Sequence, residues 1–272
     1  MVEEEILVLG ATGSTGRRVA DRLREAGYRV RPASRSGAVR FDWGDPATWE
    51  PAVAGASKMY LMAPDGVVVD PSFITCAVNA GITRIVLLSS RGIEAMGDER
   101  LLSAERTVRA SGAEWTIVRP DWFAQNFDEG VFRPAVMAKE LVLPLGGIRQ
   151  AFVDADDIAA VAAAALTEEG HAGRSYELTG PDALSFAEAL AAISRAAGRR
   201  VEFRGSEEDY RAVQAAAGAD SAATEAELAA FAALRGLGDA EPTDTVRRVR
   251  GQAPKTFAAY AAEAAARGAW RD

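Results

Sequence analysis

The chain has 272 residues, 49% of them hydrophobic and 26% charged, with a formal net charge of −8. That is room for one large α/β domain with or without a smaller lobe, and the negative balance excludes the basic stripe that nucleic acid requires. Cys76 is the only cysteine and His171 the only histidine, which excludes an internal disulfide, a thiolate metal cluster and a Ser-His-Asp triad; no metal site is expected. No apolar run is long enough to span a membrane, and because the acidic start MVEEE runs straight into the first strand, no signal peptide is expected. The composition predicts a soluble cytoplasmic protein with a small-molecule partner, neither nucleic acid nor membrane, as a monomer or a homodimer.

The first element is the one the rest is built around. Ile6–Leu9 is an all-apolar run, as a strand buried on both faces of a parallel sheet should be. Gly10, Gly13 and Gly16 follow at GxxGxxG spacing, and an amphipathic helix runs on through Val19, Ala20 and Leu23 to a stop at Gly27. Strand, glycine turn and helix form the first half of a dinucleotide-binding βαβ unit, in which the turn approaches a pyrophosphate and the helix start receives its charge. The residues expected to hold the dinucleotide here are Gly10, Thr12, Gly13, Ser14, Thr15, Gly16 and Arg17.

Tyr28–Ser34 reads as the second strand. An NAD-binding unit usually places an Asp or Glu after it to accept from the ribose 2′-hydroxyl. Here that place reads Ser34-Arg35-Ser36. An arginine and two hydroxyls suit a 2′-phosphate instead, so the expected cofactor is NADP(H). Val39–Trp43 is a short third strand, Pro46–Gly55 a helix, Lys58–Ala63 a fourth strand and Pro71–Gly81 a helix with Phe73, Ile74, Ala77 and Val78 on one face. Arg84–Ser90 is the most apolar strand and belongs at the centre of the sheet. Helix Glu99–Gly112 leads into strand Glu114–Arg119. Strands alternating with helices predict a doubly wound parallel sheet, a Rossmann fold.

After Pro120 the character changes. Trp122, Phe123 and Phe127 make an aromatic patch near the carboxyl ends of the strands, where open α/β sheets bind ligands. They fit either a stacking wall for a flat organic molecule or the core under a small lobe. Leu141–Gly147 is turn-rich, and Phe152–Leu166 is a helix whose start is marked by Asp154, Asp156 and Asp157. His171 lies in the polar loop Glu168–Gly173 and is expected to be solvated. Strand Ser175–Thr179, helix Ser185–Gly198 and the short strand Val201–Arg204 lead into alanine-rich helix. The expected division is an NADP-binding domain over residues 1–150, with a soft boundary at 120–150. A smaller, mainly helical substrate lobe over 151–272 is expected to return some segments to the first core.

Taken together, GATGSTGRRV (10–19), SRS (34–36), FDW (41–43), YLMAP (60–64), RIVLLSS (84–90), SGAEWTIVRPDWFAQNF (111–127), AFVDADDIAAVAAAAL (151–166) and YELTGPDALSFAEALAAIS (176–194) resemble the NmrA-like branch of the atypical short-chain dehydrogenases. Within it the chain is similar to the ergot-alkaloid iminium reductases and the small NADPH quinone reductases. The resemblance implies an NADP-binding Rossmann domain with a small C-terminal α/β substrate lobe. It places Asp42 and Trp43 near the adenine, Ala63 and Pro64 at the adenine ribose, and Ser89 and Ser90 at the nicotinamide ribose. It leaves activity open, because the branch also holds redox-sensing regulators that bind the dinucleotide without turnover.

The usual short-chain dehydrogenase uses a tyrosine with a lysine four residues on. The tyrosines here are followed at that offset by Pro32, Pro64, Gly180, Gln214 and Ala264, and lysine occurs only at positions 58, 139 and 255. Leu101 stands roughly where many relatives carry Lys or His. The chemistry expected is therefore NADPH-dependent reduction of a small, flat, electron-poor compound (an iminium ion, a quinone or an activated enone) by direct hydride transfer. Asp121 is the candidate catalytic charge for a bound cation, and Arg91, Trp122, Phe123, Asn126 and Phe127 are candidate substrate contacts. A non-catalytic NADP(H)-responsive regulator and a redox-neutral isomerase or cyclase are the alternatives.

Overall fold

In the computed structural model, which describes residues 4–271, strands and helices alternate. They run β1 (Glu5–Leu9), α1 (Ser14–Glu25), β2 (Arg29–Ser34), β3 (Val39–Arg40), α2 (Trp49–Val53), β4 (Lys58–Leu61), α3 (Pro71–Asn79), β5 (Arg84–Leu88), α4 (Ile93–Met96), α5 (Glu99–Arg109) and β6 (Glu114–Pro120). The chain continues through α6 (Arg133–Met137), β7 (Glu140–Val142), β8 (Arg149–Gln150), α7 (Ala155–Thr167), β9 (Arg174–Leu178), β10 (Leu184–Ser185) and α8 (Phe186–Ala197). It ends with β11 (Glu202–Arg204), α9 (Glu207–Ala216), α10 (Ser221–Gly236), α11 (Thr245–Arg250) and α12 (Phe257–Ala266).

Seven strands form one sheet in the order β3-β2-β1-β4-β5-β6-β9, and every pair in it is parallel. The order reverses between β1 and β4. At such a reversal the connections leave to opposite faces and open a crevice beyond the carboxyl ends of the strands. Alternate residues of each strand fill the two faces. Leu7, Leu9, Met59, Leu61, Ile85 and Leu87 pack on Trp49, Phe73 and Val108. Ile6, Val8, Tyr60, Val86 and Val118 pack on Val19 and Leu23 of α1 and on Ile158, Val161 and Ala162 of α7. The doubly wound architecture is as expected, and α7 and β9 return to the sheet after the chain has left it.

A third core lies under the C-terminal lobe, where Phe127, Phe132, Phe152, Phe186, Phe257, Tyr260 and Trp270 meet mostly edge to face. Ser185 opens α8 through a capping box with Glu188, and Gly198 closes it at φ +65°. Helix α7 begins later than the expected Phe152. Asp154 is its N-cap, accepting from the Asp156 N–H at 2.8 Å, while Val153 bridges to Phe123 in extended backbone. His171 is not a solvated loop residue: its side chain is only 12% exposed, and Nδ1 lies 2.8 Å from the Tyr176 hydroxyl.

Candidate active site

The glycine turn divides its work among its residues. Gly10 sits at φ +64°, and a Cβ there would meet the Met62 sulfur at 2.4 Å. A Cβ on Gly16 would lie 2.2 Å from the Gly10 carbonyl oxygen, so this glycine lets α1 pack against the end of β1. Gly13 differs: it is exposed, and a Cβ would meet only the Gly10 oxygen, at 3.2 Å. Helix α1 has no side-chain cap and no acidic residue in its first turn, which fits an anion at its start. The Thr15 hydroxyl accepts from buried Tyr60 at 3.0 Å. Ser14 Oγ donates to Glu129 at 3.0 Å, and Arg17 pairs with the same carboxylate at 2.5 Å.

At the end of β2, Ser34 is buried while Arg35 and Ser36 are exposed on the turn. Arg35 makes no ion pair among the described residues, so its charge is free for a ligand. Asp42 accepts from the Gly44 N–H at 3.0 Å, and Trp43 packs edge-on against Phe41 and Phe73.

Beyond the carboxyl ends of the strands lies a cleft of about 610 Å³. It brings together Ser14, Thr15, Ala63, Pro64, Ser89 and Ser90 of the expected cofactor set with Arg91, Asp121, Trp122, Phe123 and Asn126 of the expected substrate set. Gly10, Thr12, Gly13, Gly16, Arg17, Ser34, Arg35, Ser36, Asp42 and Trp43 are outside its lining. Phe127 is a correction. It is wholly buried among Phe132, Phe152 and Phe257, because the 3-10 turn Ala124–Phe127 aims it at the third core. Reasoning from sequence missed Met96 and Arg100 beside Leu101, Gln150 from β8, and a roof made by Leu234 and residues 237–240. The roof carries no signal, since it lies far along the chain, at the end of alanine-rich α10 and in the irregular segment that follows it.

The charges in the cleft are largely paired. Asp121 accepts from Trp122 N–H at 2.8 Å, Arg91 Nη1 at 3.3 Å and Ala151 N–H at 3.4 Å. Burial nonetheless pushes its carboxyl above the usual range, with Trp122 N–H and Arg91 opposing. Arg91 also meets Glu177 at 3.2 Å and the Glu241 carbonyl at 3.2 Å. Asp121 is therefore not an unpaired counter-charge. Ser89 donates to buried Glu105 at 2.7 Å. Burial raises that carboxyl, but Arg119 and Ser89 outweigh it and hold Glu105 ionised. Tyrosine, lysine and histidine are absent from the cleft lining among the described residues. The hydroxyls of Tyr60, Tyr176, Tyr210 and Tyr260 bond instead to Thr15, His171, Glu227 and Asp128.

A family model described as NAD(P)H-binding matches residues 10–169. The chain belongs to this NAD(P)H-binding family of oxidoreductases. Among curated relatives of this family, the chain is 36% identical to an oxidoreductase of Bacillus subtilis, YesF, over 98% of this chain and 97% of the relative. It is also 36% identical to an NAD(P)H azoreductase of Xenophilus azovorans, over 97% of this chain and 99% of the relative. The NADPH complex of the quinone oxidoreductase QOR2 from Escherichia coli superposes with a TM-score of 0.77 at 23% identity, covering 95% of this chain and 99% of that one. That last similarity is one of fold. The residues of the glycine turn, with exposed Gly13 and the uncapped α1, fit the dinucleotide the family binds. No helix among the described residues is long and apolar enough to cross a membrane.

Proposed function

We propose that the protein is an NADPH-dependent reductase of a small, flat, electron-poor organic acceptor, working without a tyrosine–lysine relay. The observation that carries this reading is the lining of the cleft: aromatic and aliphatic walls meeting the start of α1, with no tyrosine, lysine or histidine among the described residues that line it. When bound, the reduced nicotinamide supplies a hydride. Gly13, Ser14 and the start of α1 would hold its pyrophosphate, Arg35 with Ser34 and Ser36 a 2′-phosphate, and Ser89 and Ser90 the nicotinamide ribose. Trp122 and Phe123 offer faces for a planar acceptor, and the cleft shields it from water.

Reducing a simple ketone builds an alkoxide, which at neutral pH needs a positioned acid or a strong oxyanion site. A quinone or an activated enone instead delocalises the negative charge that it gains, and a proton from water completes the reduction afterwards. An azo compound, as the name of one relative suggests, belongs to the same class of flat two-electron acceptors. An iminium ion also needs no proton in the hydride step. Because Arg91 already meets Asp121, the cleft favours neutral acceptors over cations, and Asp121 is a positioning residue that fixes Arg91 and the Ala151 backbone.

The test is loss of reduced-nicotinamide absorbance with quinones, azo dyes, cyclic imines, enones and simple ketones at fixed enzyme. Turnover of quinone or azo acceptors with little on simple ketones is expected. Efficient ketone reduction would overturn the mechanism, and tight NADPH binding with no turnover of any class would favour a non-catalytic role.

A further inference from the structure

The cleft contains two arginines, and they are not alike. Arg91 meets Asp121, Glu177 and a main-chain carbonyl through Nε and Nη1. Arg100, the second residue of α5, is also only 20% exposed. Among the described residues, only its Nη2 reaches acceptors: Asp98 at 3.3 Å and Asp65 at 3.9 Å. Both carboxylates engage the guanidinium through Nη2 alone. Asp98 is the N-cap of α5 and accepts from the Leu101 N–H at 3.1 Å through its other oxygen. Asp65 is 97% exposed, so water and salt screen it. Nε and Nη1 of Arg100 meet no acceptor among the described residues. The neighbours along the wall, Met96 and Leu101, are apolar. A guanidinium kept from bulk water, with donors to spare and apolar surface beside it, is the arrangement that recognises an oxyanion on an otherwise apolar molecule.

We propose that Arg100 is a specificity residue that takes an anionic substituent of the acceptor, a carboxylate, sulfonate or phosphate, while the flat reducible part lies against Trp122 and Phe123. This rests on the reading of the cleft as a reductase site and narrows its substrate to acidic aromatic or enone compounds. An oxyanion held there through the reaction binds ground state and transition state alike, so its effect belongs in KM.

Steady-state reduction of a naphthoquinone sulfonate and of the unsubstituted naphthoquinone, by the parent and by Arg100→Gln and Arg100→Lys, tests this. The intrinsic reactivities of the two quinones cancel when the variant is divided by the parent. Arg100→Gln should raise KM for the sulfonate about tenfold or more, the loss expected for a charge-assisted hydrogen bond. It should leave the unsubstituted quinone within about twofold, and Arg100→Lys should restore part of the preference. An equal loss on both quinones, no loss on either, or a weakened affinity for NADPH itself would overturn the assignment. If the protein reduces neither quinone, the reductase reading falls, but the site is still decided by calorimetry of naphthalene sulfonate against naphthalene methanol on NADP+-saturated protein. Sulfonate binding that Arg100→Gln weakens supports the assignment. No binding, or binding that the substitution leaves unchanged, refutes it.

Discussion

At the end of β2 the choice between dinucleotides rests on one guanidinium. Arg35 is exposed and without an ion pair among the described residues, and Ser34-Arg35-Ser36 offers no carboxylate to a ribose hydroxyl. A 2′-phosphate would gain a charge-assisted contact that a 2′-hydroxyl cannot. Arg35→Ala should therefore cost about 1.5–3 kcal/mol of NADPH affinity, toward the low end because the site is open to solvent. NADH affinity should hardly move. Calorimetric titration of both dinucleotides checks this, and equal affinities in the parent protein would refute it. Asp121 gives a second residue-level expectation. Its carboxylate serves two backbone N–H groups and Arg91, so Asp121→Asn should leave a half-buried cation less well paired. A loss of about 1–3 kcal/mol of stability is expected, with activity reduced to a similar degree on neutral and cationic acceptors. A selective loss on cyclic iminium ions alone would restore Asp121 as a cation site.

The element that most rewards dissection is the turn between β1 and α1. Gly16 has no room for a side chain, whereas Gly13 faces outward with only the Gly10 oxygen nearby. Gly13→Val should keep the fold, judged by thermal melting, and lose dinucleotide binding. Gly16→Val should lose the fold as well, since a Cβ cannot overlap a backbone oxygen. Retained binding in a folded Gly13→Val protein would place the dinucleotide elsewhere. This turn and the strands around it were legible in the sequence because two-sided burial writes itself as unbroken apolar runs such as Ile6–Leu9 and Ile85–Leu87, and glycine spacing is dictated by close approach. Boundaries were less legible. Val153 looks like the first turn of a helix, but it bridges to Phe123 and the helix waits for its Asp154 cap. Of the aromatic residues after Pro120, Trp122 and Phe123 reach the cleft while Phe127 faces the core, a difference set by a 3-10 turn that has no sequence signature here. Arg100 could not be told from any helix-surface arginine until its partners were known. The alanine-rich α10 has too few large side chains to declare which face it presents, so its contribution to the roof, Leu234, was invisible.

Across the whole molecule, the glycine turn and the C-terminal lobe are tied by Glu129. It lies just after the 3-10 turn and reaches Ser14, Arg17 and Arg18 of α1, with Arg18 at 2.8 Å. Arg18 also bonds Asp156 of α7 at 2.9 Å, and Lys255 links that aspartate to Glu263 of α12. This chain of charges joins α1 and α7, the loop beside the cleft and the last helix. Burial alone would raise the Glu129 carboxyl, but Arg18, Arg17 and Ser14 outweigh it and hold it at about 2, against an ordinary 4.5. The sign follows from linkage. As pH falls below 4.5 the unfolded chain takes up this proton first, while the folded protein resists until about 2. The stabilisation is thus complete above the unfolded value and fades across that interval. After allowance for solvent screening it is about 1 kcal/mol, because the carboxylate is partly exposed. Glu129→Gln should accordingly melt about 2–4 °C below the parent near neutral pH, and the gap should close as the solution is acidified through the same window. Parallel melting curves of parent and variant over that range check it. A gap that stays constant down to the acid end would show that the carboxylate holds the lobes together by shape and hydrogen bonding, with its charge contributing nothing.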